Sequence, residues 1–193
     1  MNKKKGVFIV ISGPSGVGKN TIADLLVNKG YGIYSVSMTT REKRYNEVEG
    51  KDYFFVSNET FDKNNEDDNF LEYAQYGDNY YGTLKSYVFD NINNGTNVIA
   101  IVDIQGAINI ENIFPEAVLI FIMPPSFEEL ENRLRGRNTN SEEDILKRLS
   151  IAKKEMNFSS HYDYVIINNT VDECVNEIID IINKEIINVN ENH

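Results

Sequence analysis

Four short runs in this chain are apolar at nearly every position: "VFIVIS" over 7–12, "NVIAIV" over 97–102, "VLIFIM" over 118–123 and "YVIIN" over 164–168. They are rich in β-branched residues and too short for helices, the pattern of parallel strands buried on both faces. A fifth strand is expected over 32–37. Between the runs the spacing changes to that of helices. Ile22, Leu25 and Leu26 share a face, with Gly30 placed to end that helix. Ser126 with Glu129, and Thr170 with Glu173, have the spacing of capping boxes. Val175, Ile178, Ile179, Ile182 and Ile186 form an amphipathic stripe. Strand and helix alternate, which implies a three-layer α/β fold around a parallel sheet. Two stretches break the rhythm. Residues 38–90 are polar, aromatic and irregular, and residues 127–158 are strongly charged and helical. Both read as insertions at the carboxyl ends of strands, the edge where open α/β sheets bind ligands.

The first strand runs into "GPSGVGKNT": Gly13, Pro14, Ser15, Gly16, Val17, Gly18, Lys19, Asn20 and Thr21. Gly13, Gly18 and Lys19 fit the phosphate-loop pattern, and the strand before and helix after supply its structural context. Glycines let the backbone wrap an anion with inward N–H groups, and the helix N-terminus adds partial positive charge. The pattern expects Ser or Thr after the lysine. Asn20 stands there and Thr21 follows, which predicts a working site whose metal is held mainly by phosphates and water.

A second set of polar residues lies in 38–90. Arg41 and Arg44 offer guanidinium forks suited to phosphate oxygens, with tyrosines nearby to complete such a site. A carboxylate such as Glu72 can accept from both N1–H and the 2-amino group of guanine, a donor pair that adenine lacks. In 127–158, Arg133 and Arg137 share a helix face, with Arg135 pointing elsewhere and Arg148 further on. Glu128, Glu129 and Glu131 lie close by, so surface ion pairs are the competing account, as strong as the catalytic one for Arg135.

Composition narrows the partners. Over 193 residues, 41% hydrophobic and 25% charged, the net charge is −11, which argues against a nucleic-acid binder lacking a basic face. One cysteine, Cys174, excludes an internal disulfide and is expected to be buried and inert. With only His161 and His193 beside it, a zinc site is excluded. No apolar run approaches the ~18 residues of a membrane span, and a cytoplasmic protein is expected.

The segments "SGPSGVGK", "SVSMTTR", "GKDYFFV", "FLEYAQYGDNYYGT", "DIQGA", "PPSFEELENRLRGRNT", "KRL" and "YDYVIINN" occur in the order and spacing of the guanylate kinases. The chain resembles that family from about Gly6 to Ile187. The resemblance implies transfer of the γ-phosphoryl group of ATP, with Mg²⁺, to GMP or dGMP. It implies a core over 1–37, 91–126 and 159–193, a GMP-binding region over 38–90 and a lid over 127–158. Arg41, Arg44, Tyr53 and Tyr81 match the positions that hold the GMP phosphate. Ser37, Glu72, Thr83 and Asp103 match those that recognise guanine, with Ser37 and Thr83 donating to O6. Lys19, Arg41, Arg133, Arg137 and Arg148 match the phosphoryl-transfer set, and Asn168 a position near adenine. Two departures keep a second reading open, that of a catalytically weakened guanylate-kinase-like binding module. Ile101 stands where the family has an acid near the metal, and Asn169 where it has a frequent aspartate. The oligomeric state is left open.

Overall fold

The computed structural model describes residues 4–136 and 141–191. In chain order its elements are β1 (Phe8–Ser12), α1 (Lys19–Asn28), β2 (Ile33–Tyr34), β3 (Met38–Thr39), β4 (Phe54–Phe55), α2 (Asn58–Glu66), β5 (Phe70–Tyr76), β6 (Asn79–Leu84), α3 (Lys85–Asn93), β7 (Val98–Ile101), α4 (Ile104–Ile113), β8 (Val118–Met123), α5 (Phe127–Arg135), α6 (Glu142–Met156), β9 (Tyr164–Ile167) and α7 (Val171–Glu191). The four apolar runs become β1, β7, β8 and β9. With β2 they form one parallel sheet in the order β2-β7-β1-β8-β9.

β1 lies at the centre, and its alternate residues feed two cores. Ile9 and Ile11 join Ile22 and Leu26 of α1 and Val175, Ile178 and Ile182 of α7 on one face. Phe8 and Val10 join Val88 and Ile92 of α3 and Ala107 and Ile110 of α4 on the other. Each fully buried isoleucine or phenylalanine contributes about 1.5–3 kcal/mol, so the three-layer arrangement follows from strands apolar on both sides. β9 departs from that expectation: it is an edge strand, and Val165 and Ile167 stay exposed. Cys174 is buried against α1 and the sheet, and burial above all pushes its thiol up to about 12, so it is inert at neutral pH.

The expected strand over 32–37 is divided. Ile33 and Tyr34 pair with β7, and then the chain leaves for a second sheet of order β4-β3-β6-β5. Residues 38–90, read as irregular, thus carry a mixed sheet with an aromatic core of its own. Phe61 stacks on Phe70 at 4.6 Å and on Tyr80 at 5.5 Å between ring centroids. Gly82 leaves room for these rings, since a Cβ there would lie 2.7 Å from Phe70 Cδ1. Helix α3 starts inside the same stretch yet buries Val88 and Ile92 in the main core. Helices α5 and α6 close on each other through Leu130, Leu134, Ile145, Leu149 and Ala152. Their N-termini are capped by Ser126, which accepts from the Glu129 N–H, and by Ser141 in a reciprocal box with Asp144. Among the described residues no helix is long and apolar enough to cross a membrane.

Candidate active site

The phosphate loop leaves the central strand and turns through three glycines with positive φ, Gly13, Gly16 and Gly18. All three are also close approaches. A Cβ on Gly13 would lie 2.4 Å from the Ile122 carbonyl oxygen, one on Gly16 2.8 Å from Leu134 Cδ2 of α5, and one on Gly18 2.9 Å from Asn168 Nδ2. The loop is therefore clamped between β8 and α5. Pro14 and Val17 are buried, and the Pro14 carbonyl accepts the Val17 N–H at 3.2 Å. Ser15, Asn20 and Thr21 are exposed at the mouth. Gly18 takes the N-cap position of α1 with no side-chain cap and no acid in the first turn, so the first N–H groups of α1 have no side-chain acceptor. Such an end favours an anion. Lys19 reaches back over the loop, its Nζ donating to the carbonyls of Gly13 at 2.6 Å and Pro14 at 3.1 Å.

Asn168, 2% exposed, braces this loop from below: its Nδ2 donates to the Val17 carbonyl at 2.8 Å, while its Oδ1 is buried without a partner. Its own carbonyl accepts from Arg133 Nη2 at 3.2 Å, and Arg133 Nε donates to Glu129 at 2.9 Å. Arg148 is half-buried on α6. Arg135 is engaged in ion pairs with Glu131 within α5 and with Glu142, which links α5 to α6. Arg137 lies outside the described residues.

Across from the loop a cavity of about 230 Å³ opens between the two sheets, lined by Ser37, Tyr53, Glu72, Tyr81, Thr83, Ile101 and Asp103 among others. Glu72 sits beside a register shift in the β5–β6 pairing, and such a bulge re-aims a side chain. The Thr83 hydroxyl, 1% exposed, donates to Glu72 Oε1 at 2.6 Å. Thr83 was expected to donate to guanine O6; here that proton orients the acid. Burial raises the Glu72 pKa, the Asp103 charge adds to it, and the Thr83 hydrogen bond partly offsets both. Asp103 Oδ1 accepts the Gly106 N–H at 2.8 Å and so caps α4. Gly106 lies between the two acids, with a Cβ there meeting Asp103 Oδ1 and Glu72 Oε2 at 3.4 Å each.

At the cavity rim Arg41 lies over the rings of Tyr53 and Phe55, 5.5 and 5.7 Å from their centroids. Its guanidinium is held by Glu47, with Nη2 to Oε1 at 2.6 Å and Nη1 to Oε2 at 3.1 Å, while Nη1 also donates to the Glu42 carbonyl. The hydrogen bond to Glu47 raises the Arg41 pKa, and the Tyr81 hydroxyl also faces it. Three of its five donors are taken, which leaves at most two for an anion. The Arg44 side chain is exposed, and its backbone N–H donates to Glu47 Oε2 at 2.8 Å.

Two acids of this site escape sequence reading. Glu47 is signalled only by its position three residues after Arg44, across a turn closed by its N–H on the Arg44 carbonyl. Glu155 lies seven residues after Arg148 on α6, the same helix face. Its Oε2 is buried without a partner, and its carboxylate faces the Ser15 N–H and the Lys19 ammonium.

Comparison with known proteins agrees with this geometry. The family model described as guanylate kinase matches residues 5–185. A guanylate kinase of Caldanaerobacter subterraneus subsp. tengcongensis is 50% identical over 191 residues, covering 98% of this chain and 93% of its relative. One from Clostridium acetobutylicum is 50% identical over 179 residues, covering 93% and 86%. The crystal structure of guanylate kinase from Anaplasma phagocytophilum is 36% identical with a TM-score of 0.72, covering 96% of this chain and 88% of that one. That likeness extends over the parallel sheet that carries the phosphate loop and the second sheet that carries Glu72. On its sequence, its fold and the full length of both matches, the chain belongs to the guanylate kinase family.

Proposed function

We propose that this chain is an active guanylate kinase that transfers the γ-phosphoryl group of MgATP to GMP or dGMP, giving ADP and the diphosphate. The observation that carries the reading is the carboxylate of Glu72, buried and oriented by Thr83 in the cavity opposite the phosphate loop. It is an acceptor placed for the N1–H and 2-amino donors of guanine. Asp103 and Ser37 line the same cavity, and Tyr53, Tyr81, Arg41 and Arg44 stand where the acceptor phosphate would enter. On the donor side, Lys19 and backbone N–H groups within residues 15–21 would cradle the ATP phosphates. Arg133 and Arg148, with Arg137, supply positive charge from the lid, and Asn168 fixes the loop from beneath. The division into core, GMP-binding region and lid follows the ranges given above. The GMP phosphate is already an anionic nucleophile, so no general base is required; positioning and charge neutralisation carry the reaction.

Among the described residues no three His, Cys, Asp or Glu side chains converge on one point, and Ile101 cannot ligate a metal. Mg²⁺ would neutralise the β- and γ-phosphate charge. The residues present fit a metal carried by the phosphates and water, because an unpartnered carboxylate oxygen of Glu155 lies buried beside Lys19. Localisation in the cytoplasm fits the same reading.

The test is ADP formation from MgATP with GMP, AMP or UMP as acceptor. GMP-dependent turnover with little from AMP or UMP is expected. Ile101 in the cavity wall favours the second reading, a weakened binding module; binding of GMP without turnover at any Mg²⁺ concentration would establish that reading instead.

A further inference from the structure

The geometry points to Glu155 as a positioning residue that couples the lid to the metal on ATP: its carboxylate receives a hydrogen bond from water carried by that metal when MgATP enters the phosphate loop. This inference rests on the kinase reading above and adds a residue that neither the phosphate-loop pattern nor the family resemblance singled out.

Glu155 projects from α6 toward the loop. One of its oxygens is fully shielded from solvent and has no hydrogen-bond partner. The groups facing it come from four elements. The Ser15 N–H and the Lys19 ammonium favour its charge; Asp103 at the start of α4 opposes it; Tyr162, just after the 3₁₀ turn Ser159–His161, lies near enough to feel it. Below the loop, the Ser12 hydroxyl, 0% exposed, and the Tyr162 hydroxyl are also buried without partners. A buried carboxylate oxygen left unpaired is costly, and such groups usually mark the place where a water or ion binds.

The identity of the missing donor follows from chemistry. An ionised carboxylate only accepts hydrogen bonds. Phosphate oxygens at neutral pH also only accept, so bare ATP brought into the loop meets Glu155 as a repelling charge. Magnesium keeps several of its waters when it binds phosphates, and those waters are strong donors. MgATP therefore satisfies Glu155 where metal-free ATP does not. Ile101, a wall residue of the neighbouring cavity, offers no such acceptor. Two helical turns place Glu155 on the face of Arg148, so a lid drawn down by this contact also brings Arg148 toward the phosphates.

The experiment is calorimetric binding of the non-hydrolysable β,γ-imido analogue of ATP to the full chain, once with excess Mg²⁺ and once with excess EDTA. The quantity read is the ratio of the two dissociation constants. In wild type the analogue should bind more tightly with metal. In Glu155→Gln, binding in EDTA should tighten or hold, binding with Mg²⁺ should weaken, and the ratio should fall by about tenfold, as for loss of one hydrogen bond to a charged group. A residue that only stabilises the lid would shift both constants by one factor and leave the ratio intact, which overturns the inference. If Glu155→Gln fails to fold, Glu155→Asp keeps the charge but withdraws it by one methylene, and the ratio should fall by about threefold; an unchanged ratio there also overturns it. A wild-type protein that binds the analogue in neither condition would overturn the kinase reading itself.

Discussion

At the phosphate loop the groups proposed to meet the anion are mostly backbone N–H groups, set by three glycines, clamped by Ile122 and Leu134 and braced by Asn168. In the acceptor cavity they are side chains: Arg41 stacked on two rings, Glu72 tied to Thr83, and tyrosines on an inserted sheet. The donor half is built on backbone packed against the central core. The acceptor half is held through ion pairs and ring contacts at a rim open to solvent, so its geometry depends on local partners such as Glu47. Each half also keeps an acid near a cation, Glu47 on Arg41 and Glu155 beside Lys19. Glu47 orients the Arg41 guanidinium through two hydrogen bonds, whereas the Lys19 ammonium is held by the Gly13 and Pro14 carbonyls.

The largest effect should come from the donor half. Lys19→Met removes the one mobile cation of the loop and should lower kcat by roughly 10³-fold or more, comparable to losing a preorganised charge donor elsewhere. Steady-state rates at saturating ATP and GMP measure it, with GMP binding by calorimetry expected to survive.

Next in size is the acceptor half. Glu72→Gln should lower kcat/KM for GMP by about 10²-fold while leaving the KM for ATP near wild type, since one guanine donor loses its charged acceptor. Equal losses for both substrates would erase the distinction between the halves. The same variant reads the burial of this acid. Because the folded-state pKa of Glu72 is raised, mainly by burial, the folded protein holds this proton more tightly than the unfolded chain. The stability linked to it is present below the ordinary carboxylate range and is lost as pH rises through the raised pKa. Glu72→Gln should thus raise Tm by on the order of 2 °C near pH 8, with the gain vanishing as pH falls toward 4. In wild type, kcat/KM for GMP should fall as pH drops through that same raised pKa, and the profile of Glu72→Gln should be flatter.

A smaller effect tests the clamp. Gly16→Ala places a Cβ 2.8 Å from Leu134 Cδ2 at a positive φ, which should cost about 1–3 kcal/mol of stability and raise the KM for ATP more than that for GMP. Adding Leu134→Ala should recover part of the KM effect by removing the clash but not the backbone strain. The smallest change is expected for Glu47→Gln, which loosens Arg41 at a partly exposed rim. It should raise the KM for GMP by about threefold without touching ATP.

Much of the fold was legible because its determinants are local and periodic. The runs at 7–12, 97–102, 118–123 and 164–168 are apolar at nearly every step, so parallel strands were the economical reading. The caps at Ser126 and Thr170 and the stripe on α7 were equally plain. The mixed sheet in 38–90 was not, because β3 and β4 are two residues each and pair with strands far along the chain. Their aromatic core alternates with polar residues and carries no sustained period. The exposure of β9 also escaped, since being an edge strand is a matter of neighbours rather than composition.

The candidate site divides the same way. By itself the sequence determined that a phosphate loop follows the central strand, that arginines gather in two insertions, and which family the chain resembles, because these are encoded in short spacings within one turn or one loop. Only the tertiary structure decided that Glu72 is buried and oriented by Thr83, that Arg41 is pinned by Glu47, that Gly16 seats Leu134 and that Glu155 faces Lys19. Those relations join residues 6 to 136 positions apart. A carboxylate's charge, pKa and partners are set by what surrounds it in three dimensions, and sequence spacing carries no measure of burial.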